Sequence, residues 1–152
     1  MNRPIPKRSL LLVLYCVLLW LPGSAYAVDS EDLLPPDEAF EFKAELKNQN
    51  MLVLSWAIAD GYYLYRHKFK FLSLTPALKA GEPLFPAGQT NHDEFSGTVE
   101  IYRDRLLLRL PLLHDAVKID DLVLEITFQG CADKGVCYMP ILKTIHFDLN
   151  LL

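Results

Sequence analysis

Hydrophobic and polar residues alternate on both sides of residues 129–140, and this alternation is the clearest structural pattern in the chain. Residues 122–128 and 144–149 repeat it with a period of two, which is typical of half-buried β-strands. The apolar positions are Leu122, Leu124, Ile126 and Phe128 on one side and Ile145, Phe147 and Leu149 on the other. Two glycines and one proline lie between the stretches. The pattern therefore predicts neighbouring antiparallel strands joined by a turn-rich segment.

The same period of two recurs along most of the chain. It predicts strands over residues 40–46, 52–58, 62–71 and 98–110, the last with a break at 103–105. No stretch of ten or more residues has the apolar spacing of three and four that a helix requires. Seven or eight short strands separated by turns predict an all-β fold, an immunoglobulin-like two-sheet sandwich.

Three segments are predicted to connect these strands. Residues 76–89 contain three prolines and two glycines, residues 90–97 form a polar turn with an exposed phenylalanine, and residues 111–121 carry His114. Trp56 lies on the apolar face of its strand, so its ring is predicted to belong to the core.

Cys131 and Cys137 lie within the turn-rich segment, near enough to form a bridge. A disulfide that closes so short a loop stabilises a protein by only about 2 kcal/mol. Thiol:disulfide exchange, in which one thiolate attacks a partner's disulfide and the second resolves the adduct, is therefore an alternative to a permanent bridge. Most cysteine pairs in secreted domains are structural, so both alternatives stay open on spacing alone. A zinc site is disfavoured, because the gap between the cysteines is too long and no second cysteine pair exists.

The N-terminal residues have the features of a secretory signal peptide. Basic residues precede an apolar run of 12 residues, 10–21, which is too short to cross a bilayer comfortably. Ala25 and Ala27 flank Tyr26 in the small-x-small pattern of a cleavage site. The predicted organisation is a signal peptide over 1–27, a flexible N-terminal lead over 28–37 and one β-sandwich domain over 38–152.

Charge and size narrow the functional classes further. Cleavage after Ala27 would leave 125 residues with 12 Lys and Arg against 19 Asp and Glu, a net charge of −7. Phosphate repels such an acidic domain, so nucleic acid is not an expected partner. Cys16 would leave with the signal peptide, so the mature chain would retain two cysteines. In an oxidising compartment their thiols persist only where a reductant is supplied.

Four short sequence motifs, in this order, resemble those of a known family. Residues 60–66 are Asp-Gly-Tyr-Tyr-Leu-Tyr-Arg, residues 93–97 are Asp-Glu-Phe-Ser-Gly, and residues 100–105 are Glu-Ile-Tyr-Arg-Asp-Arg. The fourth motif is the cysteine segment, with Gln-Gly-Cys-Ala-Asp at 129–133 and Cys-Tyr at 137–138 before Pro140. Together they resemble the N-terminal periplasmic domain of the thiol:disulfide interchange protein DsbD, over essentially the whole predicted mature chain.

The resemblance implies an immunoglobulin-like sandwich whose Cys131 and Cys137 shuttle electrons to partner proteins. Cys137 would attack the partner's disulfide and Cys131 would resolve the adduct. Tyr63 and Tyr65 match family aromatics that lie near the cysteines.

The resemblance also implies a cap loop over the cysteine pair. Phe95 matches the covering phenylalanine, followed by Gly97, while Asp93 and Glu94 match acidic residues that would disfavour the thiolate by like-charge repulsion. Ser96 departs from the second aromatic residue that usually follows in the family, so a looser cover is expected.

The expected function is periplasmic thiol:disulfide exchange of the protein-disulfide reductase type, as one component of a relay. Reducing equivalents would pass from a membrane-linked donor to thioredoxin-like partners such as a disulfide isomerase or a cytochrome-maturation thioredoxin, without a cofactor or metal. The family's membrane electron-transfer and C-terminal thioredoxin-like domains do not follow within these 152 residues. A separately encoded membrane donor, or a truncated product, is expected accordingly. The alternative is a non-catalytic secreted binding domain with a permanent Cys131–Cys137 disulfide.

Overall fold

The computed structural model describes residues 33–93, 97–114 and 119–149. The predicted signal peptide and the first part of the predicted lead lie outside these ranges. The described residues form a short helix α1, Pro36–Ala39, a 3-10 turn at Arg66–Lys68, and twelve strands. The strands are β1 Phe40–Asn48, β2 Met51–Ile58, β3 Tyr62–Tyr65, β4 Lys70–Ser73, β5 Leu78–Ala80, β6 Gln89–Asp93, β7 Gly97–Tyr102, β8 Arg105–His114, β9 Asp121–Phe128, β10 Gly130–Ala132, β11 Val136–Cys137 and β12 Ile141–Asp148.

Hydrogen bonding groups the strands into three sheets in which every pairing is antiparallel. The first sheet has the order β1-β2-β8-β5, the second β11-β10-β3-β7-β6 and the third β12-β9-β4. The predicted all-β, immunoglobulin-like sandwich is confirmed. The number of strands exceeds the seven or eight expected, because short segments such as β5 and β10 pair without a long alternating pattern of their own.

The main hydrophobic core lies between the sheets and follows the predicted alternation. Strand β9 buries every second residue, and β2 does the same. Trp56 is fully buried, as predicted, and its ring lies 5.5 Å from the ring of Phe128. The longest stretches of the sequence pattern therefore identify the strands that form the core.

All three predicted connections are wrong in part, because residues in them belong to strands. Residues 78–80, within the expected connection 76–89, form the short strand β5, which pairs with β8. Residues 90–93 were expected in a polar turn, yet they belong to edge strand β6, where one side of the strand needs no partner. Strand β8 continues through His114, although 111–121 was expected to be a connection. Pro111 is tolerated there because it lies opposite Met51, the first residue of β2, at the end of the β2–β8 pairing, and its carbonyl accepts a hydrogen bond from the Gly81 N–H at 2.8 Å.

The predicted lead is described only from Leu33 onward, and there it contacts the domain. Leu33 packs against the core, and the Leu34 N–H donates a hydrogen bond to the hydroxyl of Tyr62. No helix within the described ranges is long and apolar enough to span a membrane.

Candidate functional site

The two cysteines occupy directly opposed positions of a tight hairpin. Strands β10 and β11 pair antiparallel with Cys131 opposite Cys137, and the two sulfurs form a disulfide with a Cα–Cα distance of 3.9 Å. Gly135 turns the chain between them with a φ of +82°, a left-handed conformation that glycine adopts without strain. The prediction that the cysteines lie on neighbouring antiparallel strands, close enough to bridge, is confirmed.

Strand β10 places Cys131 on the face of the second sheet opposite the main core. Its other neighbour is β3, where Cys131 pairs with Tyr63. Because side chains alternate along a strand, β3 and β10 contribute to both faces. Tyr63, Tyr65, Ile101 and Cys131 form a separate buried group, here called the tyrosine cluster, and Val99 packs against it. The structure thus places Tyr63 and Tyr65, which match the family aromatics, in one buried group with Cys131.

The two rings of the tyrosine cluster are fixed against each other. The ring centroids of Tyr63 and Tyr65 lie 5.3 Å apart in an edge-to-face arrangement, and their hydroxyl oxygens lie 3.4 Å apart. Cys131 packs in this cluster and has no exposed surface, whereas Cys137 is exposed. A protein that approaches the disulfide can therefore reach Cys137 more readily than Cys131, a difference that the sequence spacing does not reveal.

Gly130 allows the cysteine strand to pass close to the core. A Cβ atom at this position would overlap Cζ of Phe40 and would lie 2.6 Å from the carbonyl oxygen of Tyr63. Phe40 has no exposed surface and packs edge-to-face on Tyr62, Phe128 and Tyr138. Only glycine fits this backbone approach, which sets the position of the neighbouring Cys131.

Arg103 and Asp133 hold the turn of the cysteine hairpin against the second sheet. The guanidinium donates two hydrogen bonds to the carboxylate, Nη1 to Oδ2 at 3.0 Å and Nη2 to Oδ1 at 2.8 Å. Its Cζ also lies 5.1 Å from the ring centroid of Tyr63, within cation–π range. The hydrogen bonds to Asp133 raise the pKa of Arg103. Thirty residues separate the pair in the sequence, so only the fold reveals this contact.

Tyr138, directly after Cys137, ties the hairpin to the N-terminal segment. Its hydroxyl donates a hydrogen bond to the Leu34 carbonyl at 2.6 Å, and the Leu34 N–H donates to the hydroxyl of Tyr62 at 2.9 Å. Burial, with a smaller effect of the hydrogen bond to Tyr62, raises the pKa of Tyr138 to about 12. The hydroxyl therefore stays protonated, and can donate, throughout the physiological pH range.

The predicted cap is described only at its two ends. Asp93 ends β6 and pairs with Gly97, whose φ of +70° explains the glycine at this position. Two residues farther along β7, Val99 packs against the tyrosine cluster. Glu94, Phe95 and Ser96 lie outside the described residues, so the cap over the cysteines stays a prediction.

Comparison with known proteins identifies the family of this hairpin and its sandwich. Residues 30–149 match the family model described as thiol:disulfide interchange protein DsbD, N-terminal. The chain belongs to this family. Thiol:disulfide interchange protein DsbD 1 of Pseudomonas aeruginosa is 36% identical over 152 residues, which cover 92% of this chain and 25% of that protein. The chain thus spans about a quarter of the length of the curated DsbD relatives it matches.

Two solved structures resemble the DsbD-like fold described here. The DsbD N-terminal domain of Neisseria meningitidis in the reduced form has a TM-score of 0.71 and 32% identity, and the match covers 80% of this chain and 94% of that one. The complex between the DsbD N-terminal and PilB N-terminal domains from the same species gives a TM-score of 0.60 and 33% identity, with coverage of 76% and 87%.

Proposed function

We propose that the chain performs thiol:disulfide exchange through Cys131 and Cys137. The observation that carries the proposal is a disulfide between directly opposed residues of β10 and β11, in a chain of the DsbD N-terminal family. Cys131 of this disulfide is buried and Cys137 is exposed. In the reduced protein the Cys137 thiolate attacks one sulfur of the partner's disulfide, and the partner's second sulfur leaves as a thiolate. The Cys131 thiolate then attacks Cys137, which closes the Cys131–Cys137 disulfide and releases the partner as a dithiol. Two electrons pass from this chain to the partner.

The partners we propose are oxidised thioredoxin-like proteins of the periplasm, such as a disulfide isomerase or a cytochrome-maturation thioredoxin. A complex of a DsbD N-terminal domain with another protein domain, that of PilB, supports a role in binding protein partners. A membrane-linked thiol donor would return the disulfide to the dithiol. The predicted signal peptide, 1–27, supports the periplasmic location, and the proposed exchange requires no cofactor.

A permanent structural disulfide is the competing function class. One feature of the bridge favours this structural role: β11 is an edge strand of only two residues, and the disulfide fixes β11 to β10. The two functions differ in how much the fold depends on the bridge.

We expect reduction of the disulfide to leave the sandwich folded and to lower the free energy of unfolding by only about 2 kcal/mol, because the bridge closes a loop with a sequence separation of 6. Thiol titration under mild reductant, with circular dichroism and urea unfolding of both redox forms, measures this. The reduced-form crystal structure of the Neisseria relative supports the expectation. Loss of β-sheet signal on reduction at room temperature would instead indicate a structural bridge.

We also propose that Phe95, with Asp93, Glu94 and Gly97, forms a cap that limits access to the reduced pair. Phe95→Ala is expected to speed alkylation of the dithiol by a small reagent severalfold, since removal of a ring above a thiol exposes it. The pseudo-first-order alkylation rate of reduced protein tests this. Leu72→Ala, on exposed strand β4 of the third sheet, serves as the control and should alkylate at the wild-type rate. Equal rates for Phe95→Ala and wild type would mean that Phe95 covers another part of the surface.

A further inference from the structure

Met139 is an exposed apolar side chain beside the cysteine pair. It is 83% exposed, a larger fraction than for any other large hydrophobic residue in the described parts of the chain. It follows Cys137 by two residues, whereas the comparably large Leu72 and Leu113 are 57% and 56% exposed on other sheets. The hydrophobic core does not explain an apolar side chain in this position.

The side chain between Cys137 and Met139 points into the protein. The ring of Tyr138 lies 5.4 Å from that of Phe40 and 6.2 Å from that of Tyr62, both of which belong to the core. In extended backbone the residues on either side of an inward side chain project outward. Met139 and the exposed Cys137 therefore lie on the same side of this segment, roughly 7 Å apart along the chain.

Hydrogen bonds within the chain hold the backbone next to Met139 in place before any partner protein binds. The Tyr138 N–H donates to the Gly130 carbonyl at 3.0 Å, and Nε2 of Gln129 donates to the Tyr138 carbonyl at 2.9 Å. Pro140 restricts the preceding residue, Met139, to extended conformations. A side chain presented on a backbone that is already ordered loses less conformational entropy on binding than one on a mobile loop.

We propose that Met139 is a specificity-determining contact for the protein that forms the mixed disulfide with Cys137, and that it enters an apolar depression beside the partner's disulfide. The inference rests on the proposed function. It follows from geometry, because a disulfide bond to Cys137 places the partner's surface against the neighbouring outward side chain. Methionine suits this contact, since its flexible thioether fills irregular apolar pockets.

The test compares a protein disulfide with a very small one. Reduced wild type, Met139→Ala, Met139→Leu and Leu72→Ala are each mixed with an oxidised periplasmic disulfide isomerase or with hydroxyethyl disulfide, and the rate of thiol loss is followed. Met139→Ala should react about tenfold more slowly with the isomerase, as expected for loss of a buried interface anchor, and at the wild-type rate with the small disulfide. Met139→Leu and Leu72→Ala should match wild type with both.

The outcomes separate this inference from the function on which it rests. If wild type reduces neither disulfide, the proposed function fails and the contact proposed for Met139 fails with it. If wild type reduces both and Met139→Ala reacts with the isomerase at the wild-type rate, only the inference fails. An equal slowing with both disulfides would also overturn it, because the substitution would then act on the thiols themselves.

Discussion

Cys131→Ala is expected to accumulate a mixed disulfide with an oxidised thioredoxin-like partner, and Cys137→Ala is expected to form none. Cys137 is exposed at the edge of the second sheet, so as a lone thiol it can still attack a disulfide. Without the second thiol the adduct has no internal route to resolution and persists. A lone Cys131 has no exposed surface and is packed against Tyr63 and Ile101, so a folded partner cannot reach it.

Non-reducing gels of periplasmic extract from cells that express each variant show the adduct directly. A Cys131→Ala, Cys137→Ala double variant controls for association without a covalent bond, and addition of reductant should release the partner. Adducts from Cys137→Ala alone would reverse the roles of the two cysteines. Adducts from neither variant would favour a binding domain with a permanent disulfide.

Gly130→Ala is expected to lower the free energy of unfolding by about 2–3 kcal/mol and to displace the cysteine strand. The added Cβ would lie 2.6 Å from Cε1 of Phe40 and equally close to the carbonyl oxygen of Tyr63. Phe40 is fully buried between other rings, and the Tyr63 carbonyl is part of the β3 backbone that pairs with β10, so neither can move away easily. A small domain is typically stable by only about 5–15 kcal/mol, which makes this a large change.

Urea unfolding of oxidised Gly130→Ala and wild type measures the effect. Gly81→Ala is the matched control, because a Cβ there would lie 3.1 Å from Pro111 at its nearest contact, and a smaller loss of stability is expected. Alkylation of the reduced variants gives a second measurement, since displacement of β10 should expose Cys131. Wild-type stability and an unreactive Cys131 in Gly130→Ala would contradict the proposed role of the close approach between β10 and Phe40.

The sequence predicted those parts of the fold that depend on local periodicity. Strands β1, β2 and β9 follow from alternation of apolar residues, and the break between β7 and β8 lies where the polar residues 103–105 interrupt the pattern. Asp104 adopts a φ of +59° in that turn, a conformation that aspartate tolerates better than most residues. The cysteine hairpin was also predictable, because glycines and two strand patterns surround it.

The parts that were not predictable depend on contacts between distant segments. Nothing in the sequence around Arg103 indicates that it binds Asp133, and nothing around Phe40 indicates that its ring requires a glycine at 130. Strand β6 was missed because polar residues at a sheet edge lack the alternation of a half-buried strand. The difference in burial between Cys131 and Cys137 likewise arises from the sheet, since β10 is an inner strand and β11 an edge strand.

Transfer of two electrons from this chain to a protein disulfide is the central claim, and counting thiols tests it most directly. Reduced wild-type protein is mixed with an oxidised periplasmic disulfide isomerase under anaerobic conditions, quenched with an alkylating reagent and analysed by mass spectrometry. The account predicts that labels disappear from Cys131 and Cys137 together while two labels appear on the partner. Labels that persist on both cysteines beside an unchanged partner disulfide would contradict it.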